Sequence, residues 1–154
     1  MIVAYARPSD LDVIAELEAG AFAHARWSRE AWAGELTADG HAVLADRDAD
    51  DELVGVAAFS AVADTADLLR VIVRPELRGR GIGRRLLLAG FEWARARSAG
   101  QMLLEVDSTN EPALALYAAL GFEPISQRPD YYAPGVGAIV MARSLAEETT
   151  EVPA

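Results

Sequence analysis

The run from Leu68 to Arg97 restricts the fold of this chain more than any other stretch. A strand-like segment, Leu68-Leu69-Arg70-Val71-Ile72-Val73, leads through Arg78-Gly79-Arg80-Gly81-Ile82-Gly83 into a helix-like segment from Ile82 to about Arg97. Glycines between a strand and a helix let a ligand approach the backbone, because no Cβ stands in the way. The unpaired N–H groups of the helix's first turn point at that ligand, and the helix dipole favours an anion. Arg78 and Arg80 add donors suited to phosphate. The segment reads as a pyrophosphate cradle.

Spacing narrows the choice of cradle. A P-loop needs Lys-Ser/Thr after its last glycine, and here Arg84-Arg85 follow; all 14 basic residues of the chain are arginine. A dinucleotide fingerprint needs a glycine three residues after Gly81, where Arg84 stands. What remains is Arg78-x-x-Gly81-x-Gly83. Taken alone it also fits a glycine-rich turn with solvated arginines.

At 154 residues, 52% hydrophobic and 25% charged, the chain suits one globular domain. No apolar run approaches a membrane span, and the first residues, Met1 to Arg7, lack the pattern of a signal peptide. With no cysteine there is no disulfide framework and no thiolate nucleophile. A cytoplasmic location without membrane association is expected. Neither His24 nor His41 has a partner pattern for a metal or a triad, so no metal is expected. The net charge of −10 argues against nucleic-acid binding. Between Leu68 and Phe91, however, six arginines (70, 74, 78, 80, 84, 85) face one acid, Glu76. That island is +5 and the remainder −15, a balance fitting a polyanionic cofactor at one site and a cationic acceptor near the rest.

The expected elements run as follows. Met1 to Ala6 is a strand. A helix starts at Ser9 or Asp10 and a second at Ser28, ending by Gly40. His41 to Ala45 is a strand, Asp46 to Glu52 an acidic hairpin turn, and Leu53 to Val62 and Ala66 to Val73 are strands. After the cradle helix, Gly100 is the expected C-cap and Gln101 to Val106 a strand. Asn110 to Leu120 is a helix closed by Gly121, and Phe122 to Arg128 and Ala138 to Leu145 are the last strands. This order gives a single α/β domain, residues 1–145, with a mixed, mostly antiparallel sheet flanked by helices. Residues 146–154 read as an acidic, disordered tail.

Three features follow the cradle. Glu105 stands in the apolar strand Leu104-Glu105-Val106, Asn110 at the entry to the next helix, and Tyr117 in Leu116-Tyr117-x-x-x-Gly121-Phe122. A carboxylate held in a low-dielectric strand can act as a general base toward an ammonium; the bland alternative is a strand-end Glu facing solvent. Tyr117 can donate a hydrogen bond to a developing anion, or it can be a core residue on its helix's apolar stripe. Asn110 is an N-cap, a cofactor ligand, or both.

With the cradle, these motifs resemble the GCN5-related N-acetyltransferases from about residue 67 to 123. Leu104-Glu-Val-x-Ser-x-Asn110, Ala115-Leu116-Tyr117, Gly121-Phe122, Arg128-x-x-Tyr131-Tyr132 and Trp27-Ser28 resemble more narrowly the RimI-type branch, which acetylates the N-terminal amine of ribosomal protein S18 and, in some members, other N-termini. The resemblance implies acetyl-coenzyme A as donor, held by Val71, Ile72, Val73, Arg78, Gly79, Arg80, Gly81, Ile82, Gly83 and Asn110. It implies Glu105 and Tyr117 as catalytic residues, and Trp27, Tyr131 and Tyr132 along the acceptor path. The implied acceptor is a protein N-terminus, such as that of a ribosomal protein, with the enzyme a monomer or homodimer. Three departures from the pattern, Arg26, Asp107 and Val136-Gly137, lie on or near the acceptor side. A small amine as acceptor, and a non-catalytic acyl-coenzyme A sensor, are the competing readings; a sensor needs neither Glu105 nor Tyr117.

Overall fold

A computed structural model describes residues 2–22 and 26–146, apart from the side chain of Ile2. The strands are β1 (Ile2–Tyr5), β2 (His41–Arg47), β3 (Leu53–Val62), β4 (Thr65–Val73), β5 (Gln101–Asp107), β6 (Glu123–Ala133) and β7 (Val136–Ser144). The helices are α1 (Leu11–Ala21), α2 (Arg29–Thr37), α3 (Ile82–Ala96) and α4 (Glu111–Ala119). One seven-stranded sheet has the order β1-β2-β3-β4-β5-β7-β6. Every neighbour pair is antiparallel except β4 and β5, which the α3 crossover makes parallel. This is the expected mixed, mostly antiparallel α/β domain. No helix among the described residues is long and apolar enough to cross a membrane.

The central strand β3 is buried along most of its length, so it reads as a continuous apolar run rather than an alternating one. One core packs Phe59, Leu86, Leu87, Phe91, Tyr117 and Phe122 between the sheet and α3 and α4. The other packs Ile14, Trp32, Val43, Val56 and Ile72 against α1 and α2. α3 lies so close to β3 that a Cβ on Gly90 would stand 2.2 Å from the Phe59 ring. Ser28 caps α2 by accepting from Ala31 N–H at 3.0 Å. Gly121, at φ 90°, closes α4, and Phe122 N–H returns to Tyr117 C=O at 3.0 Å.

The elements depart from the sequence expectations in three places. Asp46 is not in the β2–β3 turn. It lies inside β2, fully buried, and is paired to Arg85 of α3 at 3.0 Å. A partner from a distant helix is what makes the burial of that charge tolerable. The residue that turns left-handed to end α3 is Ser98, at φ 67°, rather than Gly100, whose N–H instead donates to Asp64 C=O at 2.7 Å. The last hairpin is longer than expected: β6 runs to Ala133 and β7 begins at Val136, with the register jumping between Arg128↔Ala138 and Ala133↔Val136. The expected disordered tail from residue 147 onward, and His24, lie outside the described residues.

Two local irregularities shape the sheet's centre. The β3–β4 register shifts between Ala58↔Arg70 and Phe59↔Leu68, leaving Leu69 as an extra residue that bends β4. The β4–β5 ladder runs only from Thr65↔Gln101 to Leu68↔Leu104. Beyond those rungs β4 remains paired to β3 and β5 to β7, and the two parallel strands share no further register.

Candidate active site

The parting of β4 and β5 opens a cleft at their C-terminal ends. On one side lie Val71, Ile72 and Val73; on the other, Glu105 is the first residue past the last rung. Ile72's side chain is buried in the α1–α2 core, while Val71 and Val73 pack toward the other core. What this strand edge offers the cleft is therefore mainly backbone N–H and C=O.

The glycine-rich loop joins β4 to α3 through a 3-10 turn, Pro75–Leu77. Gly79 and Gly81 have φ of 79° and 81°, a conformation that side-chain-bearing residues adopt with strain. A Cβ on Gly79 would meet nothing within 4 Å, and one on Gly81 would find only Arg85 Nη1, at 3.7 Å. The loop is thus open toward solvent at the α3 N-terminus, where the first-turn N–H groups have no intrahelical partner. Gly83 has a different task. A Cβ there would lie 3.1 Å from Leu116 Cδ2, so its absence lets α4 approach α3. Ile82's side chain is core, leaving only its backbone for a ligand.

The arginine island divides in two. Arg78, Arg80 and Arg84 stand exposed around the loop. Three others serve the fold: Arg74 Nε donates to Leu53 C=O at 2.6 Å, Arg85 pairs with Asp46, and Arg70 pairs with Glu18 at 3.2 Å. The expectation of six arginines around one anion is thus reduced to three, because composition cannot tell a loop arginine from one buried against a carboxylate.

Glu105 is not enclosed as its apolar strand neighbours suggest. Its side chain is 35% exposed and is paired with Arg128 Nη1 of β6 at 3.3 Å. Since β5 is buried on one face only, alternation turns Glu105 outward between Leu104 and Val106. Tyr132, next to it, has its phenol pushed up, first by burial, then by the charges of Glu105, Tyr131 and Asp107, with Arg70 opposing. Tyr131 packs edge-on against Tyr132, centroids 5.1 Å apart, and lies under the Arg128 guanidinium at 5.4 Å. Tyr131 is exposed.

Trp27 belongs to the opposite wall. Its ring lies 4.9 Å from that of Trp32 and 4.9 Å from the Arg70 guanidinium, which also covers Phe22 at 4.2 Å. Behind them the fully buried Glu18 accepts from Trp32 Nε1 at 3.0 Å and from Arg70 Nε at 3.2 Å. Arg70 thereby ties α1 and the segment before α2 to β4 at its bulge.

Asn110 is the N-cap of α4, accepting from Ala113 N–H at 3.2 Å, which leaves its amide group to donate elsewhere. Tyr117 is buried in the main core, edge-on to Phe122 at 5.8 Å, and burial holds its phenol far above the ordinary tyrosine range. Gly137, one of the departures from the resembling pattern, sits tightly under β6: a Cβ would be 3.0 Å from Arg128 O. His41 is bonded to Glu35, away from the cleft. Among the described residues, no group of three or more His, Cys, Asp or Glu side chains is placed to hold a metal ion.

A parted pair of parallel strands, a carboxylate at the fork and an anion-ready loop before the intervening helix are the features expected of an acyltransferase site. The acetyltransferase (GNAT) family model matches residues 11–122, and the chain belongs to that family; it is an acetyl-transferring enzyme. It is 36% identical over 141 residues to the N-alpha-acetyltransferase RimI of Mycobacterium tuberculosis, covering 88% of this chain and 87% of that protein. It is 36% identical over 149 residues to a Mycobacterium leprae protein, matching 93% of this chain but spanning only 40% of that relative's length. The crystal structure of the ribosomal-protein-S18-alanine N-acetyltransferase from Escherichia coli superposes with a TM-score of 0.85 at 25% identity, covering 98% of this chain and 97% of that one.

The donor of this family is acetyl-coenzyme A. The open glycine loop, its exposed arginines and the strand edge of β4 fit such a group: the loop lacks the Cβ atoms that would fill its cradle, and the helix terminus and arginines match pyrophosphate.

Arg128 and Arg70 are the side chains at the cleft whose placement the sequence did not disclose. Arg128 was visible only as part of a motif, and Arg70 only as one of an island. Both positions depend on strand register and on a distant helix, which spacing along the chain does not encode.

Proposed function

We propose that this enzyme transfers acetyl from acetyl-coenzyme A to the α-amine of a protein N-terminus. The observation that carries the reading is the position of Glu105, exposed at the first residue beyond the last β4–β5 rung and bordered by Tyr132 and Arg128. The similarity to N-terminal acetyltransferases along nearly the whole chain supports the protein acceptor.

In this reading the backbone N–H groups of residues 79–83, with Arg78, Arg80 and Arg84, hold the pyrophosphate. The backbone of Val71–Val73 and the Asn110 amide hold the pantetheine arm. When bound, the cofactor supplies an acetyl group activated as a thioester. Glu105 takes a proton from the acceptor ammonium, directly or through a water, so that a neutral amine attacks. An α-amine with a pKa of about 8 is largely charged at neutral pH, which is why a base is needed. Tyr117, kept protonated by burial, donates a hydrogen bond to the sulfur as it leaves. Trp27 on one wall and Tyr131 and Tyr132 on the other border the acceptor's entry.

The deciding experiment measures coenzyme A release with alanine-initiated peptides, polyamines, aminoglycosides and free amino acids. Alanine peptides are expected to turn over best. Turnover of free amines with none of the peptides would replace the protein acceptor with a small one. The absence of an acidic side chain at Val136-Gly137, where a Cβ on Gly137 would press on Arg128 O at 3.0 Å, is the observation that favours this second reading.

A further inference from the structure

Glu105 already has a cation. Arg128 Nη1 lies 3.3 Å from its Oε1, where the ammonium of an acceptor must come if Glu105 is to take its proton. The arginine is not locked in place. Its side chain is 54% exposed, and it sits at the register jump of β6, where the strand loses step with β7 until Ala133. Its guanidinium rests over the exposed ring of Tyr131, so an alternative seat on the acceptor wall adjoins the first. A half-exposed ion pair of this kind is weakly held. Two cations cannot share one carboxylate edge without repulsion, so entry of one favours departure of the other.

We infer that Arg128 is a displaceable counter-ion that competes with the acceptor: it occupies Glu105 in the free enzyme and is displaced by the acceptor's ammonium. This rests on Glu105 being the group that receives the amine. In the free enzyme the arginine neutralises an exposed carboxylate at the fork. During binding it competes with the acceptor's ammonium for Glu105, so it costs affinity for a charged acceptor and none for a neutral one that leaves the pair intact.

The inference is tested by calorimetry on the full chain saturated with coenzyme A. The probes are an alanine-initiated peptide and the same peptide chemically acetylated at its N-terminus. Arg128→Gln is expected to tighten the free-amine peptide about fivefold, the scale of a half-exposed ion pair, and to leave the acetylated peptide unchanged. Arg128→Lys, which keeps the charge, is expected to bind as the parent does. In a Glu105→Gln background the gain from Arg128→Gln is expected to vanish. Equal tightening of both peptides, no tightening, or weaker binding in Arg128→Gln would overturn the inference; the last would make Arg128 an acceptor ligand instead. If the parent enzyme neither binds nor acetylates the free-amine peptide, the protein-acceptor reading fails. The counter-ion is then decided by the same variants with spermidine against its fully acetylated form.

Discussion

Glu105 is partly exposed and Tyr117 is buried, and their variants are expected to behave differently. Glu105→Gln should lower kcat far more than it weakens cofactor binding. The loss should shrink as pH rises past about 8, because a growing share of the amine is already neutral. Steady-state profiles from pH 6.5 to 9.5 check this, and a pH-independent loss would make Glu105 an orienting group. Tyr117→Phe should reduce turnover by about 10- to 1000-fold, the range for loss of a positioned proton donor or hydrogen bond; parent-like turnover would return Tyr117 to a packing role. The same variant carries a stability signature. Burial raises the phenol's pKa in the folded state, while the unfolded chain ionises near 10. Above pH 10 the unfolded chain therefore binds fewer protons, and stability falls. The contribution of the neutral phenol is complete below about pH 10 and is lost as pH rises beyond it. Tyr117→Phe should flatten that alkaline decline in urea midpoints measured between pH 8 and 11.

At the scale of elements, the loop before α3 is the most exacting. Gly81→Asp places a negative charge in the cradle at φ 81°, a conformation that aspartate tolerates better than most residues. The fold should persist by circular dichroism while acetyl-coenzyme A binding is lost by calorimetry; unchanged affinity would remove the pyrophosphate from this loop. The loop, α2, α3 and α4 were legible because their signals are local: glycines at a turn, an apolar stripe, Ser28 and Asn110 as caps of α2 and α4, Gly121 as a left-handed stop. What was not legible depends on partners far along the chain. Asp46 looks like one more acid in a turn until Arg85 reaches it from α3. The apolar neighbours of Glu105 suggest burial, but a one-sided strand turns it toward Arg128. Even Ser98 in place of Gly100 follows from where α3 must stop to feed β5, which local propensity does not encode.

Across the whole molecule, charge separates the two ligands. The chain is −10, yet Arg78, Arg80 and Arg84 gather at the loop, so an anionic donor there and a cationic acceptor elsewhere would meet different fields. Raising salt from 0.05 to 0.5 M should lower kcat/KM for arginine-rich alanine peptides more than for neutral ones, since screening shortens the reach of the acidic surface; equal decline would assign the acidic surface no part in recruitment. The sheet itself adds a mechanical consequence. Among the described residues, four rungs, Thr65↔Gln101 to Leu68↔Leu104, join the first four strands to the last three, with the Gly100 N–H to Asp64 C=O bond at their start. On the proposed reading, a donor lodged where the strands diverge would touch both sides and act as a rivet across a short seam. Amide exchange around Leu68 and Leu104 should therefore slow when coenzyme A is added. Thermal stability should climb with its concentration, by about 2.7 kcal/mol at a hundredfold excess over Kd. The short ladder that opens the fork thus becomes the place where cofactor occupancy would be felt as stability.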